Sequence, residues 1–182
     1  GEAISLEADR VLVAVGVLPN SEDLGLDSLG VTLDRGFVKV DRSMATNVAG
    51  LYAIGDVTGI MLLAHVASAQ GVLAVERIAG MDVPDLNYEV MPRATYCHPQ
   101  VTSYGLTEKQ ALERGRRVKI GTFPFIASGK ALAIAEPEGL AKIVVDEDSG
   151  EILGAHLIGP DVTEMLGELS LARMLESTNR EI

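Results

Sequence analysis

The sequence predicts two successive fold classes, an α/β front half followed by an α+β back half with an antiparallel sheet flanked by helices. Three observations carry this. A short apolar run at 51–54 ends in Gly55-Asp56, and the helix start Leu62-Leu63-Ala64-His65 follows closely. The segment 81–91 contains Pro84 and little periodicity, which marks a domain junction. Beyond it, strand-like segments succeed one another with turn residues between them, and a helical pattern closes the chain.

In the front half, 4–7 reads as a short strand and 10–15 as a longer, valine-rich one, together a hairpin. Gly16 then ends the strand ahead of a turn at Pro19-Asn20. Residues 21–34 loosen into a polar loop with scattered leucines, 36–40 reads as another strand, and 43–50 is a turn-rich connection. The run 51–54 is of the kind buried inside a parallel sheet with both faces covered. Residues 62–79 carry apolar side chains at Leu62, Leu63, Val66, Val72, Leu73, Val75 and Ile78, a broad helical face. Gly71 within that face marks close packing, and Gly80 is placed to cap the helix end.

In the back half, Thr107 is a good N-cap for a short amphipathic helix that Gly115 stops. Strands are expected at 118–125, 131–136, 141–146 and 152–158, with Asp148-Ser149-Gly150 as the hairpin turn between the last two. A final helix is expected over 162–176 with Asp161 as its N-cap. Its Met165, Leu166, Leu169, Leu171 and Leu175 present more apolar surface than one sheet needs to cover.

With 182 residues and 47% hydrophobic content, the chain can bury a core and form one or two small domains. A net charge of -11 argues against a nucleic-acid or anionic-membrane partner, because phosphate binding needs clustered cations. Arg114, Arg116 and Arg117 read as a solvated helix end. No apolar run has the length of a membrane span and no signal peptide precedes the first strand, so a soluble, cytoplasmic protein is expected. The single cysteine, Cys97, cannot form an intrachain disulfide. Its neighbour His98 should point to the opposite face of an extended segment, so the two make no nucleophile-base dyad. No metal site is expected.

The chemistry of interest gathers at Gly55-Asp56. Gly55 lets the backbone approach a ligand, and the Asp56 carboxylate suits the hydroxyls of a sugar or sugar alcohol. The helix behind it offers first-turn amide N–H groups and the positive end of its dipole to something electron-rich. A nucleotide or a flavin satisfies both features, while an ordinary turn followed by a core helix remains the plain alternative. The glycine-rich stretch 25–30 lacks the strand-to-helix context of a phosphate cradle.

Residues 49–56, with the Leu-Ala-His helix start, resemble the second flavin-binding segment of the pyridine nucleotide-disulfide oxidoreductases. The resemblance implies that Asp56 holds the ribityl chain of FAD, and that Leu62, Leu63, Ala64 and His65 face the pyrimidine edge of the flavin. Members usually carry methionine where Leu62 stands, which is compatible with a contact through backbone. Val13-Ala14-Val15-Gly16-Val17-Leu18-Pro19-Asn20 resembles the return from the nicotinamide domain, where Gly16 would lie against bound NAD. The back half resembles the family's interface domain through Tyr96-Cys97-His98-Pro99-Gln100-Val101, Gly105-Leu106-Thr107-Glu108, Phe123-Pro124-Phe125, Gly129-Lys130-Ala131 and Gly154-Ala155-His156-Leu157-Ile158-Gly159-Pro160. The implied layout is Rossmann-like: 1–17 the tail of the NAD-binding domain, 18–90 a central FAD-contacting segment, and 91–182 an interface domain that forms a two-fold homodimer.

The likeness is strongest to the branch of the family that oxidises dihydrolipoamide, through a cysteine pair and FAD, to reduce NAD. Lipoyl domains of 2-oxo acid dehydrogenase complexes would be its partners. Four parts of such an enzyme are absent from the sequence: the first dinucleotide fingerprint, the cysteine pair, the second fingerprint, and the C-terminal His-Glu pair. The chain stops at Asn179-Arg180-Glu181-Ile182, where the family's helix leads to the catalytic histidine. No catalytic residue is therefore assigned, and His65, His98 and His156 are not the thiol base. The piece alone is expected to be inactive and to hold FAD weakly or not at all. Alternatives are another flavoprotein disulfide reductase, a transhydrogenase, or a non-catalytic dimerisation module.

Overall fold

A computed structural model describes residues 3–182, and they divide into two units, one reaching to Asp85 and the other spanning Leu86–Ile182. The architecture is mixed α/β with antiparallel sheets.

The first unit has little regular structure. Strand β1 (Leu33–Asp34) pairs antiparallel with β2 (Phe37–Val38) across a turn in which Arg35 and Gly36 both have positive φ, the backbone that a two-residue hairpin demands. A 3-10 turn (Gly55–Thr58) leads to helix α1 (Ala64–Ile78). The helix buries Val66, Gln70, Leu73 and Ala74, a one-sided stripe at helical spacing, and Val31, Val38 and Met44 are buried in the same unit. In the last turn of α1, Arg77 suits the negative end of the dipole and reaches Ser43 Oγ (2.8 Å), the Val83 carbonyl (3.0 Å) and Asp85 (2.6 Å).

Several expectations for this unit need correction. Residues 4–7 and 10–15 form no strands: Ile4, Leu6, Val11, Leu12, Val13 and Val15 are exposed, and no described segment pairs with them. A strand exists only through a neighbour's backbone, however suitable its own side chains. The span assigned to 1–17 begins with two residues that lie outside the described ones. The run 51–54 joins no parallel sheet; it makes one antiparallel bridge, Ala45 with Tyr52, and leaves Tyr52 and Ile54 partly exposed. Helix α1 begins at Ala64, with Leu63 as an extended N-cap, so Leu62 and Leu63 precede it. Val72, Val75 and Ile78, read as core-facing, are exposed. Gly71 does mark a close approach, since a Cβ there would lie 3.2 Å from Ile54 Cδ1. Gly80 follows the Ala79 cap with positive φ and donates its N–H to the Arg77 carbonyl.

The second unit is built on a five-stranded antiparallel sheet. Its strands are β3 (Arg93–Thr95), β4 (Gln100–Gly105), β5 (Val118–Pro124), β6 (Leu140–Asp146) and β7 (Ile152–Gly159), in the order β3-β4-β7-β6-β5. Helices α2 (Glu108–Glu113), α3 (Gly129–Ala133) and α4 (Val162–Met174) accompany it. The register aligns Thr102 with Leu157 and Ala141, and Tyr104 with Ala155 and Ile143. Against this face α4 buries Val162, Leu166, Leu169 and Ala172, joined by Phe125 and Ala131. Each fully buried aliphatic side chain of this kind contributes roughly 1.5–3 kcal/mol. A second cluster, Leu106, Ala111, Val144 and Leu153 with Val118 and Ile120, includes Ala111 of α2.

Two glycines set the spacing of the central strands. A Cβ at Gly105 would overlap the Leu153 carbonyl and one at Gly154 the Leu106 carbonyl, while the Leu106 N–H donates to that Leu153 carbonyl at 2.9 Å. The Thr107 expectation holds: its hydroxyl accepts from Gln110 N and Gln110 reaches back to Thr107 N, a capping box.

Here too the structure departs from the sequence reading. Strands β3 and β4 are additional, β4 being hard to read because its core-facing positions include Thr102, whose hydroxyl is satisfied by the Arg93 carbonyl (2.8 Å). Residues 131–136, expected as a strand, contribute instead to α3, where Ser128 caps Ala131 N and the residues Lys130-Ala131-Leu132-Ala133 favour helix. Asp161 stands at the N-cap position of α4 but makes no cap; its carboxylate pairs with Lys130 Nζ at 2.9 Å. The helix stops at Met174, and Met165, Leu171, Met174 and Leu175 remain exposed. Gly121, Ala141, Ile143 and Met165 line an open apolar groove beside it.

The β6–β7 hairpin is organised by Asp146. Its buried carboxylate accepts from Ser149 N (2.9 Å), Ser149 Oγ (2.9 Å), Asp148 N (3.2 Å) and Arg116 Nε (2.8 Å). The Ser149 backbone bond and then the Arg116 guanidinium hold its carboxyl well below the usual carboxylate range. A lowered folded-state value stabilises the fold above the unfolded value near pH ~4, and that contribution is lost as pH falls below it. D146N should therefore lower the urea midpoint of the chain at pH 7, with the gap to wild type narrowing below about pH 4; midpoints measured across pH check this. Tyr104, fully buried, has a hydroxyl without a partner among the described residues, and burial pushes its phenol up to about 12. Removing an unsatisfied buried hydroxyl is neutral or stabilising, by up to about 1–3 kcal/mol. Tyr104→Phe should match or exceed the wild-type melting temperature, and a clear loss in calorimetry would count against the hydroxyl being idle.

Candidate functional site

The Gly55-Asp56 turn is fastened on several sides within the first unit. Ala53 N donates to the Met44 carbonyl (3.0 Å) and Thr46 N to the Leu51 carbonyl (2.9 Å), which anchors the run that leads into it. Gly55 takes positive φ, is buried, and donates its N–H to Gln70 Oε1 of α1 at 2.7 Å. Its carbonyl accepts from the buried Thr58 hydroxyl at 2.8 Å. Helix α1 comes close enough that a Cβ at Gly55 would meet Ala67 Cβ at 3.2 Å. On the other side Gly59, also at positive φ, packs under the Phe37 ring, whose carbons would lie 2.8 Å from a Cβ there.

This fastening leaves Asp56 exposed on the turn, its carbonyl accepting from Gly59 N at 3.0 Å. Leu62, Ala64 and His65 are exposed and Leu63 is half-buried, and no side chain caps the start of α1. The unit thus presents a carboxylate and the positive end of a 15-residue helix from one compact piece of chain. That donor set fits a ligand with hydroxyls on one part and an electron-rich edge on another. Gly16 stands apart: it is exposed and nothing lies within 4 Å of its Cβ position, so it is not brought together with the 55–65 segment.

Gln70, Thr58 and Phe37 were not singled out from sequence, yet they hold the turn. The available signal for Gln70 was a polar residue between Val66 and Leu73 on the apolar stripe of the helix. The other candidates have local roles. His156 Nε2 lies 3.0 Å from the Leu106 carbonyl, and His98 is exposed. Cys97 Sγ faces the Pro99 carbonyl at 3.1 Å. Among the described residues no group of three or more His, Cys, Asp or Glu side chains could hold a metal ion, and no helix is long and apolar enough to cross a membrane.

Comparison with known proteins agrees with both units. Residues 91–182 match the pyridine nucleotide-disulphide oxidoreductase dimerisation domain, and residues 1–71 match the pyridine nucleotide-disulphide oxidoreductase domain. The chain is 51% identical to a dihydrolipoyl dehydrogenase of Corynebacterium glutamicum over 98% of its own length, and 51% identical to one of Zymomonas mobilis over 100%. It spans 39% of the length of each. Among solved structures, LpdA from Mycobacterium tuberculosis superposes with a TM-score of 0.78 at 26% identity, covering 88% of this chain and 35% of that one. The HOCl-induced flavoprotein disulfide reductase RclA from Escherichia coli gives 0.82 at 24% identity over 91% of this chain and 38% of its own, a likeness of fold alone. The chain belongs to the pyridine nucleotide-disulphide oxidoreductase family.

Proposed function

We propose that this chain is a segment of a dihydrolipoyl dehydrogenase, the flavoprotein that oxidises dihydrolipoamide and reduces NAD. In this reading 1–17 is the tail of the NAD-binding domain, 18–90 the central FAD-contacting segment and 91–182 the interface domain. The observation that carries it is the exposed Asp56 beside the uncapped start of α1, in a chain half identical to dihydrolipoyl dehydrogenases along its whole length. FAD, when bound, supplies the two-electron relay between thiol and nicotinamide. Asp56 accepts from ribityl hydroxyls, a charged hydrogen bond worth about 1.5–3 kcal/mol when well formed. The backbone of Leu62, Leu63, Ala64 and His65 faces the pyrimidine edge, where the helix dipole adds roughly 0.3–1 kcal/mol. Gly16 lies against NAD once the nicotinamide domain is complete.

The second unit pairs two copies into a homodimer, in keeping with the exposed Phe123, Met165, Leu171 and Leu175. Lipoyl domains of 2-oxo acid dehydrogenase complexes are the partners, and the setting is cytoplasmic. The sequence holds one cysteine, so the redox disulfide is not made within it, and the segment by itself is inactive. That same single cysteine favours a second reading, a dimerisation module without chemistry.

Asp56→Ala in a full-length dihydrolipoyl dehydrogenase carrying this segment should lower FAD retention, read as the flavin-to-protein absorbance ratio after gel filtration; an unchanged ratio sinks the role of Asp56. The 182-residue chain on its own should elute as a colourless dimer. A yellow preparation with diaphorase activity would overturn its assignment as an inactive segment.

A further inference from the structure

We propose that Gln70 is a positioning residue for the flavin site, setting the direction of Asp56 relative to the start of α1. The inference rests on the flavin reading of that turn and goes beyond it, because Gln70 itself is buried and not part of the exposed surface that would meet a ligand.

Gln70 is fully buried on the α1 stripe with Val66, Leu73 and Ala74, where an aliphatic side chain would pack without desolvating an amide. Its Oε1 receives the Gly55 N–H at 2.7 Å, a tie across 15 residues of sequence and hence between two elements. Gly55 is buried with positive φ, so its N–H is turned away from any ladder and needs that acceptor. The next residue is Asp56. Two neighbouring positions on α1 also touch the turn: Ala67 approaches Gly55, and Gly71 approaches Ile54, each at 3.2 Å from a Cβ built on the glycine. Those contacts are steric and limit only how near the helix lies. The Gln70 bond is directional, and it fixes the Ile54–Gly55 peptide on α1, while the Thr58 hydroxyl holds the carbonyl of the following Gly55–Asp56 peptide, so Gln70 sets the entry of the turn on which Asp56 stands. Because Gln70 and the first turn Ala64-His65 lie on one rigid helix, a single amide couples the carboxylate to the helix start. Rigid placement of this kind is what a binding constellation requires of the residues behind it.

The test compares variants in a full-length dihydrolipoyl dehydrogenase carrying this segment, with FAD as the probe. Gln70→Leu removes the acceptor at similar volume and should weaken FAD retention roughly tenfold, a factor typical of one lost hydrogen bond, and alter the visible circular dichroism of the bound flavin. Gln70→Glu keeps an oxygen at the same reach and should restore both. If Gln70→Leu does not fold, Gln70→Glu and Gln70→Met are compared instead. Wild-type retention and dichroism in the folded acceptor-free variant, with Asp56→Ala losing flavin, overturns the role of Gln70 and leaves the flavin site standing. Loss of flavin in a folded Gln70→Glu equal to that in Gln70→Leu overturns it as well. Flavin kept in Asp56→Ala brings down the reading on which it rests.

Discussion

The hydrogen bond from Gly55 N to the Gln70 amide oxygen answers a problem that the first unit has almost no sheet to answer. Buried backbone groups need partners, and among the described residues the ladders of this unit amount to a short hairpin and one isolated bridge. Side chains therefore take over: Gln70 and Thr58 satisfy the N–H and C=O of Gly55, and Thr46 accepts from Val48 N while donating to neighbouring carbonyls. A positive φ at Gly55 and Gly59 allows the chain to turn tightly between α1 and the Phe37 ring. The exposed carboxylate of Asp56 follows from that arrangement.

The second unit meets the same requirement by ordinary means. Five antiparallel strands pair the backbone of the central strands β7 and β6 on both sides, and α4 covers the β4–β7 face with an apolar stripe. What is specific to it lies in close approach and in charge. Gly105 and Gly154 admit carbonyls that any side chain would displace. Arg116 bridges Asp146 and Glu151, and Arg173 reaches the second oxygen of Glu151 at 2.7 Å, so the hairpin turn and the last turn of α4 share one ionic network. Networks of this sort hold geometry better than isolated surface pairs do.

Legibility followed the range of the interactions. The Thr107 capping box and the Asp148-Ser149-Gly150 turn between β6 and β7 depend on residues within a few positions of one another, and their spacing announced them. Residues 10–15 and 51–54 have strand-like composition, yet β-structure is a property of pairs and no described neighbour runs beside them as a strand. Residues 131–133 of the 131–136 stretch went to helix, with Ser128 offering a cap that composition does not weigh, and 134–135 form a turn. Asp161 makes no cap because its backbone is left-handed where a cap residue is extended, and its carboxylate meets Lys130, 31 residues away in sequence.

By itself, the sequence determined the two-part division and the family, and it marked the turn as a candidate site, since glycine, acid and helix start are local facts of chemistry and spacing. Only the tertiary structure decided which of those positions stand together. It placed Asp56 and the start of α1 on one fastened piece and left Gly16 apart from them. It also identified Gln70 as the group that holds Gly55, because a hydrogen bond across 15 residues has no signature in either segment alone.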